Sequence, residues 1–409
     1  MKKLDENKRY LVAVSGGPDS MALLDMARNK GVYLEVAHMN YHHRDSADRD
    51  EKIVRNYCRK NGISFHKSDF KEENYKGNFQ DNARKARYEF FNRLCNKFQL
   101  DEVLIGHNLD DFIETYLMQK QKNIGVSYYG IKERNEIYNV KVYRPLLNTE
   151  KNQLEKYCLK NNIIYGVDES NLSDQYTRNR IRHSKVEKMS LEEKKDLYRQ
   201  IIDLNKENER RIKEAEKYLK GTVFDVDYFC KTPDLQIFLH HHFPEKSSKT
   251  IQEMIRQLKE SNNCVFEGKD LLLVKEYGKI SKTLPVKEYE YIYDSPKEIE
   301  YKNYGVFRLS DKGNSFEGAT LSKDDFPLTV RNYRPHDRIE MTYGKKGINR
   351  YFIDKKIPYY QRRMWPIVLN RCQNIILAPG IGCDVKHYSK KHNFFVIKLK
   401  NTGGHCNAD

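Results

Sequence analysis

Tyr10-Leu11-Val12-Ala13-Val14-Ser15-Gly16-Gly17-Pro18-Asp19-Ser20 decides how the first half of this chain folds. An apolar, partly β-branched run feeds a Ser-Gly-Gly-Pro-Asp-Ser turn, and Met21-Ala22-Leu23-Leu24 reads as an opening helix. A strand–turn–helix of this kind aims free backbone N–H groups and the positive end of a helix at one spot, which is an anion site. Gly16 and Gly17 let the backbone approach a phosphate closely, and Ser20 is placed to cap or line the helix start. The absence of a Gly-Lys-Ser/Thr sequence excludes a Walker-type loop. Asp19 is the telling residue: a carboxylate beside a polyphosphate repels it unless Mg²⁺ lies between them. The turn therefore reads as a site for metal-bound nucleotide.

Beyond the turn, 409 residues predict two or three domains. A net charge of +16 and a pI near 9.2 point to an anionic macromolecule, nucleic acid first, although a lysine-biased proteome gives the same total. No apolar run approaches the roughly 20 residues a bilayer requires, the lysine-rich start lacks an apolar signal core, and mean hydropathy is −0.86, so the expectation is a cytoplasmic protein with no membrane partner. Eight cysteines without a C-x-x-C pair argue against a disulfide framework, a zinc ribbon and an iron–sulfur site.

Residues 8–147 alternate short apolar runs with helical patterns. Strands are predicted at Tyr10–Val14, Tyr33–His38, Ile63–His66, Glu102–Ile105 and Val140–Arg144, with helices near 20–29, 46–61, 80–98 and 110–121. This is an α/β pattern with a mostly parallel sheet, whose ligands sit at the carboxyl ends of the strands. A further helix is predicted over 150–161, with Thr149 as its N-cap. The charge-rich stretch 186–220 reads as a long helical linker, 221–320 as a mixed region without a motif, and the chain from Phe326 as a small β-containing domain. The predicted division is 1–185, 186–320 and 321–409.

Four clusters carry the rest of the chemistry. His38-Met39-Asn40-Tyr41-His42-His43-Arg44 leaves the second strand, where it brackets a nucleotide or forms a polar surface loop. In Asp81-Asn82-Ala83-Arg84-Lys85-Ala86-Arg87-Tyr88, Arg84, Arg87 and Tyr88 share one helical face, as a cationic comb or a solvated one. In Gly106-His107-Asn108-Leu109-Asp110-Asp111-Phe112-Ile113-Glu114-Thr115, three acids converge beside a histidine; this favours a metal or ammonium site over mere dipole capping. The fourth runs from Asp168 to Arg182 and sets Arg178 and Arg182 one helical turn apart, with Arg180 on another side. At the other end, residues 331–371 hold eleven Lys or Arg against Asp337, Glu340 and Asp354, which is half of the net charge. Tyr333, Tyr343, Tyr351, Phe352, Tyr359 and Tyr360 interleave with these cations, as RNA stacking and phosphate contact require.

The Ser-Gly-Gly-x-Asp-Ser turn resembles the PP-loop of the ATP pyrophosphatases, which have an adenine nucleotide alpha hydrolase-like fold. The four clusters, in this order, resemble the tRNA(Ile)-lysidine synthetase branch, with its H-x-N-H, A-R-x-x-R-Y, G-H-H-x-D-D-x-x-E-T and D-x-S-N…R-N-x-x-R segments. Arg144-Pro145-Leu146-Leu147 is similar to that branch's R-P-L-L, and the stretches Arg331–Arg338 and Ile357–Pro366 to its C-terminal domain. Two departures are Asn108, where the branch usually has a second His, and His336, where it usually has Gly.

The resemblance implies ATP-dependent joining of free L-lysine to C2 of the wobble cytidine of the CAU-anticodon isoleucine tRNA, through an adenylated tRNA. It implies ATP at Ser15, Gly16, Gly17, Pro18, Asp19, Ser20 and His38, and Mg²⁺ on Asp19 and one or both of Asp110 and Asp111. It places the lysine ammonium at Asp111 and Glu114, and proton removal at His107 or a carboxylate. Arg178, Arg180 or Arg182 would stabilise charge on the adenylate. Arg84, Arg87, Arg334, Arg338, Lys345, Lys346, Arg362 and Arg363 are the expected tRNA contacts, and a homodimer is left open. The rival readings are a base-thiolating PP-loop enzyme and an inactive tRNA-binding protein.

Overall fold

The structure is a computed structural model that describes residues 1–42, 46–70, 79–121, 126–167, 177–295, 299–301, 305–310, 318–388 and 396–399. His43, Arg44 and the stretch from Asp168 to Tyr176 lie outside the described residues. The chain divides into two compact units. One comprises Met1–Tyr218 with Pro233–Gln252, the other Leu219–Thr232 with Glu253–Asp409. The sequence divides instead at 185 and 320.

In the first unit, β1 (Arg9–Ala13), β2 (Tyr33–Asn40), β3 (Ser64–Asp69), β4 (Glu102–Ile105), β5 (Arg134–Ile137) and β6 (Val140–Tyr143) form one sheet in the order β3-β2-β1-β4-β6-β5. All neighbours are parallel except the edge pair β5–β6. Val12 stands level with Val36 on one side and Leu104 on the other. The strand alternation sorts the core. Tyr10 and Val12 pack with Met21, Leu24, Val54 and Leu154, while Leu11 on the opposite face packs with Phe91, Leu94 and Val103.

Each of the five parallel strands β1, β2, β3, β4 and β6 is followed by a helix: α1 (Pro18–Arg28), α2 (Ala47–Lys60), α3 (Phe79–Phe98), α4 (Leu109–Gln121) and α5 (Lys151–Lys160). These match the predicted helices to within a residue or two. The N-cap of α5 is Glu150, reciprocally bonded with Gln153, and not Thr149. α6 (Thr177–Ser184) and α7 (Leu191–Tyr218) close over α4, where Phe112 and Ile113 pack with Ile181 and Ile201.

In the second unit, an antiparallel sheet orders Val223–Asp225, Lys279–Thr283, Leu272–Glu276 and Cys264–Glu267. A five-stranded sheet follows, of Glu290–Tyr293, Leu328–Asn332, Pro366–Leu369, Ile375–Ala378 and Gly382–Cys383. No helix among the described residues is long and apolar enough to cross a membrane.

Candidate active site

The carboxyl ends of β1, β2 and β4 open into a cleft of about 560 Å³ lined by the phosphate loop, His38, Arg87, His107 and Asp111. The loop is shaped by glycine. Gly16 has φ +97°, and a Cβ there would come within 2.8 Å of the Asp50 Cβ. At Gly106 a Cβ would meet the Asp19 carbonyl at 3.1 Å, so β4 ends against the backbone of the α1 start. The N-cap of α1 is Gly17 and its first residue is Pro18, which has no N–H to satisfy. The amides of Asp19 and Ser20 lie before the first intrahelical bond, Met21 N to Gly17 O, and have no acceptor among the described residues. Ser20 does not cap the helix. Its hydroxyl donates to Gly17 O and accepts from Ser15 N, cross-bracing the loop. Free amides at the start of a helix suit an anion.

Asp19 sits in this loop with its Oδ1 buried and without a hydrogen-bond partner among the described residues. Burial first, and then the Asp111 carboxylate, push its pKa up to about 7. Two facing carboxylates, one with an orphaned oxygen, fit a divalent cation that takes its other ligands from phosphate and water. Among the described residues no group of three or more His, Cys, Asp or Glu side chains is arranged to hold a metal by itself.

Asp110 has turned away from this role. Its Oδ1 lies 2.5 Å from Lys194 Nζ and its Oδ2 accepts the Lys151 amide, which pins α4 to α5 and α7. Lys194 also reaches Glu150 at 2.9 Å and is 4% exposed. Its ammonium is raised by these two carboxylates against the opposing effect of burial. The sequence singles out none of this, because Lys194 lies in a stretch of α7 that reads as solvated charge.

Asp111 and Glu114 do not present a free acidic face. Arg178 donates to Asp111 Oδ1 at 2.5 Å and to Glu114 Oε2 at 2.7 Å, and Arg182 donates to Glu114 Oε1 at 2.6 Å. Glu114 is fully buried, with both oxygens taken by guanidinium groups. The acids on α4 and the arginines on α6, each spaced for one helical face, meet one another. Without ligand, Asp111, Glu114, Arg178 and Arg182 form a four-residue ion-pair cluster where the sequence predicts a lysine pocket. Arg180 is exposed and reaches Thr177 Oγ1.

His107 lines the cleft with one ring nitrogen already engaged. Its Nδ1 accepts from Arg144 Nε at 2.9 Å, and burial first, then the cations of Arg144, Arg178, Arg87 and Arg84, hold its pKa down to about 3. His38 donates from Nδ1 to the Val14 carbonyl at 2.8 Å, which secures β2 to the loop; burial lowers its pKa as well. Asn108, the departure from the H-H pattern, forms a reciprocal cap. Its Oδ1 accepts the Asp111 amide and Asp111 Oδ2 accepts the Asn108 amide, both at 3.0 Å. The sequence also missed Asp50, which backs the phosphate loop, and gave Arg144 no role.

Of the expected tRNA contacts, Arg87 lines the cleft and bonds Tyr41 Oη at 2.5 Å, while Arg84 stacks over Tyr88. Arg362 is structural: it bonds Glu276 at 3.0 Å and the Ile357 carbonyl, and its side chain is 14% exposed. Arg363 approaches Glu288 at 4.0 Å, and Arg334 pairs with Glu290 at 3.3 Å. Arg338 and Lys345 stand exposed on a hairpin of Arg338–Met341 and Gly344–Gly347, with Lys346 half-buried beside them. Tyr333 and Phe352 are core residues in edge-to-face contact at 4.9 Å, which removes them from any stacking surface.

A parallel sheet carrying this loop defines a PP-loop domain of the ATP-utilising class. Residues 1–189 match the family described as PP-loop domain, and residues 328–395 the one described as TilS substrate C-terminal domain. The chain is 42% identical to the tRNA(Ile)-lysidine synthase of Ureaplasma parvum serovar 3, over 58% of this chain and 73% of that one. It is 32% identical to the tRNA(Ile)-lysidine synthase of Mycoplasma mycoides subsp. mycoides SC, over 91% of this chain and 97% of that one. Among solved structures, the U34-tRNA thiolase NcsA from Methanococcus maripaludis aligns with a TM-score of 0.40 at 18% identity, over 51% of this chain and 72% of that one. The chain belongs to the tRNA(Ile)-lysidine synthase family.

Proposed function

We propose that this protein uses ATP to join the ε-amine of free lysine to C2 of the wobble cytidine in the CAU-anticodon isoleucine tRNA. The observation that carries the reading is the phosphate loop with its orphaned Asp19 oxygen, in a chain related along nine-tenths of its length to an enzyme of that name. The C2 oxygen is a poor leaving group. It attacks the α-phosphorus of ATP, pyrophosphate departs, and the C2–O bond becomes an AMP ester; lysine nitrogen then forms the C2–N bond as AMP leaves.

The amides of the Gly16–Ser20 turn hold phosphate oxygens, and Ser20 keeps the loop from opening. Asp19 and Asp111 would hold Mg²⁺, which supplies charge neutralisation for the pyrophosphate. Lysine, with an ordinary pKa near 10.4, arrives as an ammonium and must lose a proton before it attacks. His107, its acceptor nitrogen taken by Arg144, leaves that task to a carboxylate. Base thiolation is not favoured. Cys58 and Cys158 are buried singly in the core, with thiols pushed up to about 12 and about 11, far from the thiolate such chemistry needs.

Pyrophosphate release with ATP, lysine and a CAU-anticodon isoleucine transcript tests the proposal. Turnover that depends on that tRNA and on lysine, with lysidine in the product digest, is expected. Sulfur-dependent turnover, or tRNA binding without pyrophosphate release, would overturn it.

A further inference from the structure

Arg144 follows β6 and is 3% exposed, yet no carboxylate among the described residues lies within ion-pair distance of it. All its partners are neutral: His107 Nδ1 at 2.9 Å from Nε, and the Lys132 carbonyl at 2.8 Å and Asn135 Oδ1 at 2.7 Å from Nη1, with the Tyr88 phenol nearby. Elsewhere in this chain the buried Arg331 sits on Asp337, and the part-buried Arg182 on Glu114. A buried guanidinium without a counter-charge is costly and is seldom kept without a use.

Its use follows from the donor inventory. A guanidinium only donates, so the His107 nitrogen it touches must present a lone pair, and the proton of the neutral ring must sit on Nε2. Nε2 has no hydrogen-bond partner among the described residues, and the ring lines the cleft. Directly before it, Gly106 abuts the Asp19 backbone, so the ring is adjacent to the phosphate loop. The charged groups facing it are Arg144 from the end of β6, Arg178 from α6, and Arg84 and Arg87 from α3. Asp111, which lines the same cleft, is bound to Arg178.

We infer that Arg144 is a positioning residue that locks His107 as the Nε2–H tautomer, making His107 a fixed neutral donor to an oxygen of the reacting α-phosphoryl group. The identity of that phosphoryl group rests on the proposed function; the tautomer does not. The anionic ligand then supplies the negative charge that Arg144 lacks, through the ring.

The tautomer is tested on the whole free protein by ¹⁵N-detected NMR of the histidine side chains, with His107 assigned by its loss in His107→Gln. One proton on Nε2, with no titration between about pH 5.5 and 9, is expected; a midpoint near the ordinary value of about 6.5, or a proton on Nδ1, overturns the inference. In Arg144→Met the His107 ring should begin to titrate, and a ring that stays locked overturns the assignment to Arg144. Should Arg144→Met fail to fold by circular dichroism, Arg144→Leu, which likewise cannot donate, replaces it, with the same two outcomes. Donation is read from turnover. Removing one such donor costs about 100- to 1000-fold in kcat, so His107→Ala should fall by that factor with KM for ATP little changed. His107→Gln, which can still donate, should recover at least tenfold of the loss. Equal loss in both, or removal of the acid limb of the pH profile by His107→Gln, would mean that His107 takes a proton. A preparation with no turnover on any tRNA would defeat the proposed function and leave the NMR result standing.

Discussion

At the scale of single residues, the site stores electrostatic tension at Asp19. An aspartate ordinarily ionises near 3.9, and here burial and Asp111 hold it up to about 7. Between these values the folded state binds a proton that the unfolded chain has released, so stability falls as pH rises from about 4 to 7. Asp19→Asn should therefore melt higher than the parent at pH 8, by at most about 4 kcal/mol, with the gain fading towards pH 4. The same variant should lose adenylation. Added Mg²⁺ should raise the melting temperature of the parent and not of the variant; an equal shift in both would remove Asp19 from metal binding. Glu114→Gln makes the opposite case. It takes the close carboxylate from Arg182 and leaves Arg178 with Asp111 alone, and urea unfolding should show a loss of about 2–4 kcal/mol, discounted because Arg178 is part-exposed. A raised KM for lysine with unchanged stability would reinstate the lysine pocket there.

At the scale of elements, the strands and helices that bear the motifs were legible because a parallel sheet buried on both faces writes continuous apolar runs, as in Leu11-Val12-Ala13. The edge strand β5, Arg134-Asn135-Glu136-Ile137, was not, because a four-residue polar strand has no such signature. The spacing of Asp111 and Glu114 on α4, and of Arg178 and Arg182 on α6, was equally plain. That the two faces meet was invisible, since Arg178 and Glu114 are 64 positions apart in the chain. Lys194 shows the same limit, as a buried lysine and a solvated one look alike in a charged helix. Lys194→Met should strand Asp110 and Glu150 as buried, unpaired acids and cost about 3–5 kcal/mol, read by urea unfolding. A loss below about 1 kcal/mol would show that solvent reaches the pair.

At the scale of the whole molecule, the basic C-terminal stretch was legible as charge but not as surface. Part of it serves the fold, as with Arg331 on Asp337 and Arg362 on Glu276. Replacing Arg338, Lys345 and Lys346 together with Ala should weaken tRNA binding and lower the salt slope by about 0.7–0.9 for each phosphate that is no longer neutralised. Arg362→Ala should lower the melting temperature and leave that slope unchanged. Filter binding across a salt series, run beside thermal melts, separates the two; a slope that falls only in Arg362→Ala would reverse the assignment.

The chain passes between its two compact units three times, after Tyr218, Thr232 and Gln252. On a ribosome the ATP-binding unit is therefore incomplete until residue 252 has emerged, with a stretch of the other unit already made. A fragment that stops at His183 contains the phosphate loop and all four clusters, and it also strips Lys194 from Asp110 and Glu150. A catalytic half cut along the compact units joins 1–218 to 233–252, which is not one continuous stretch of chain.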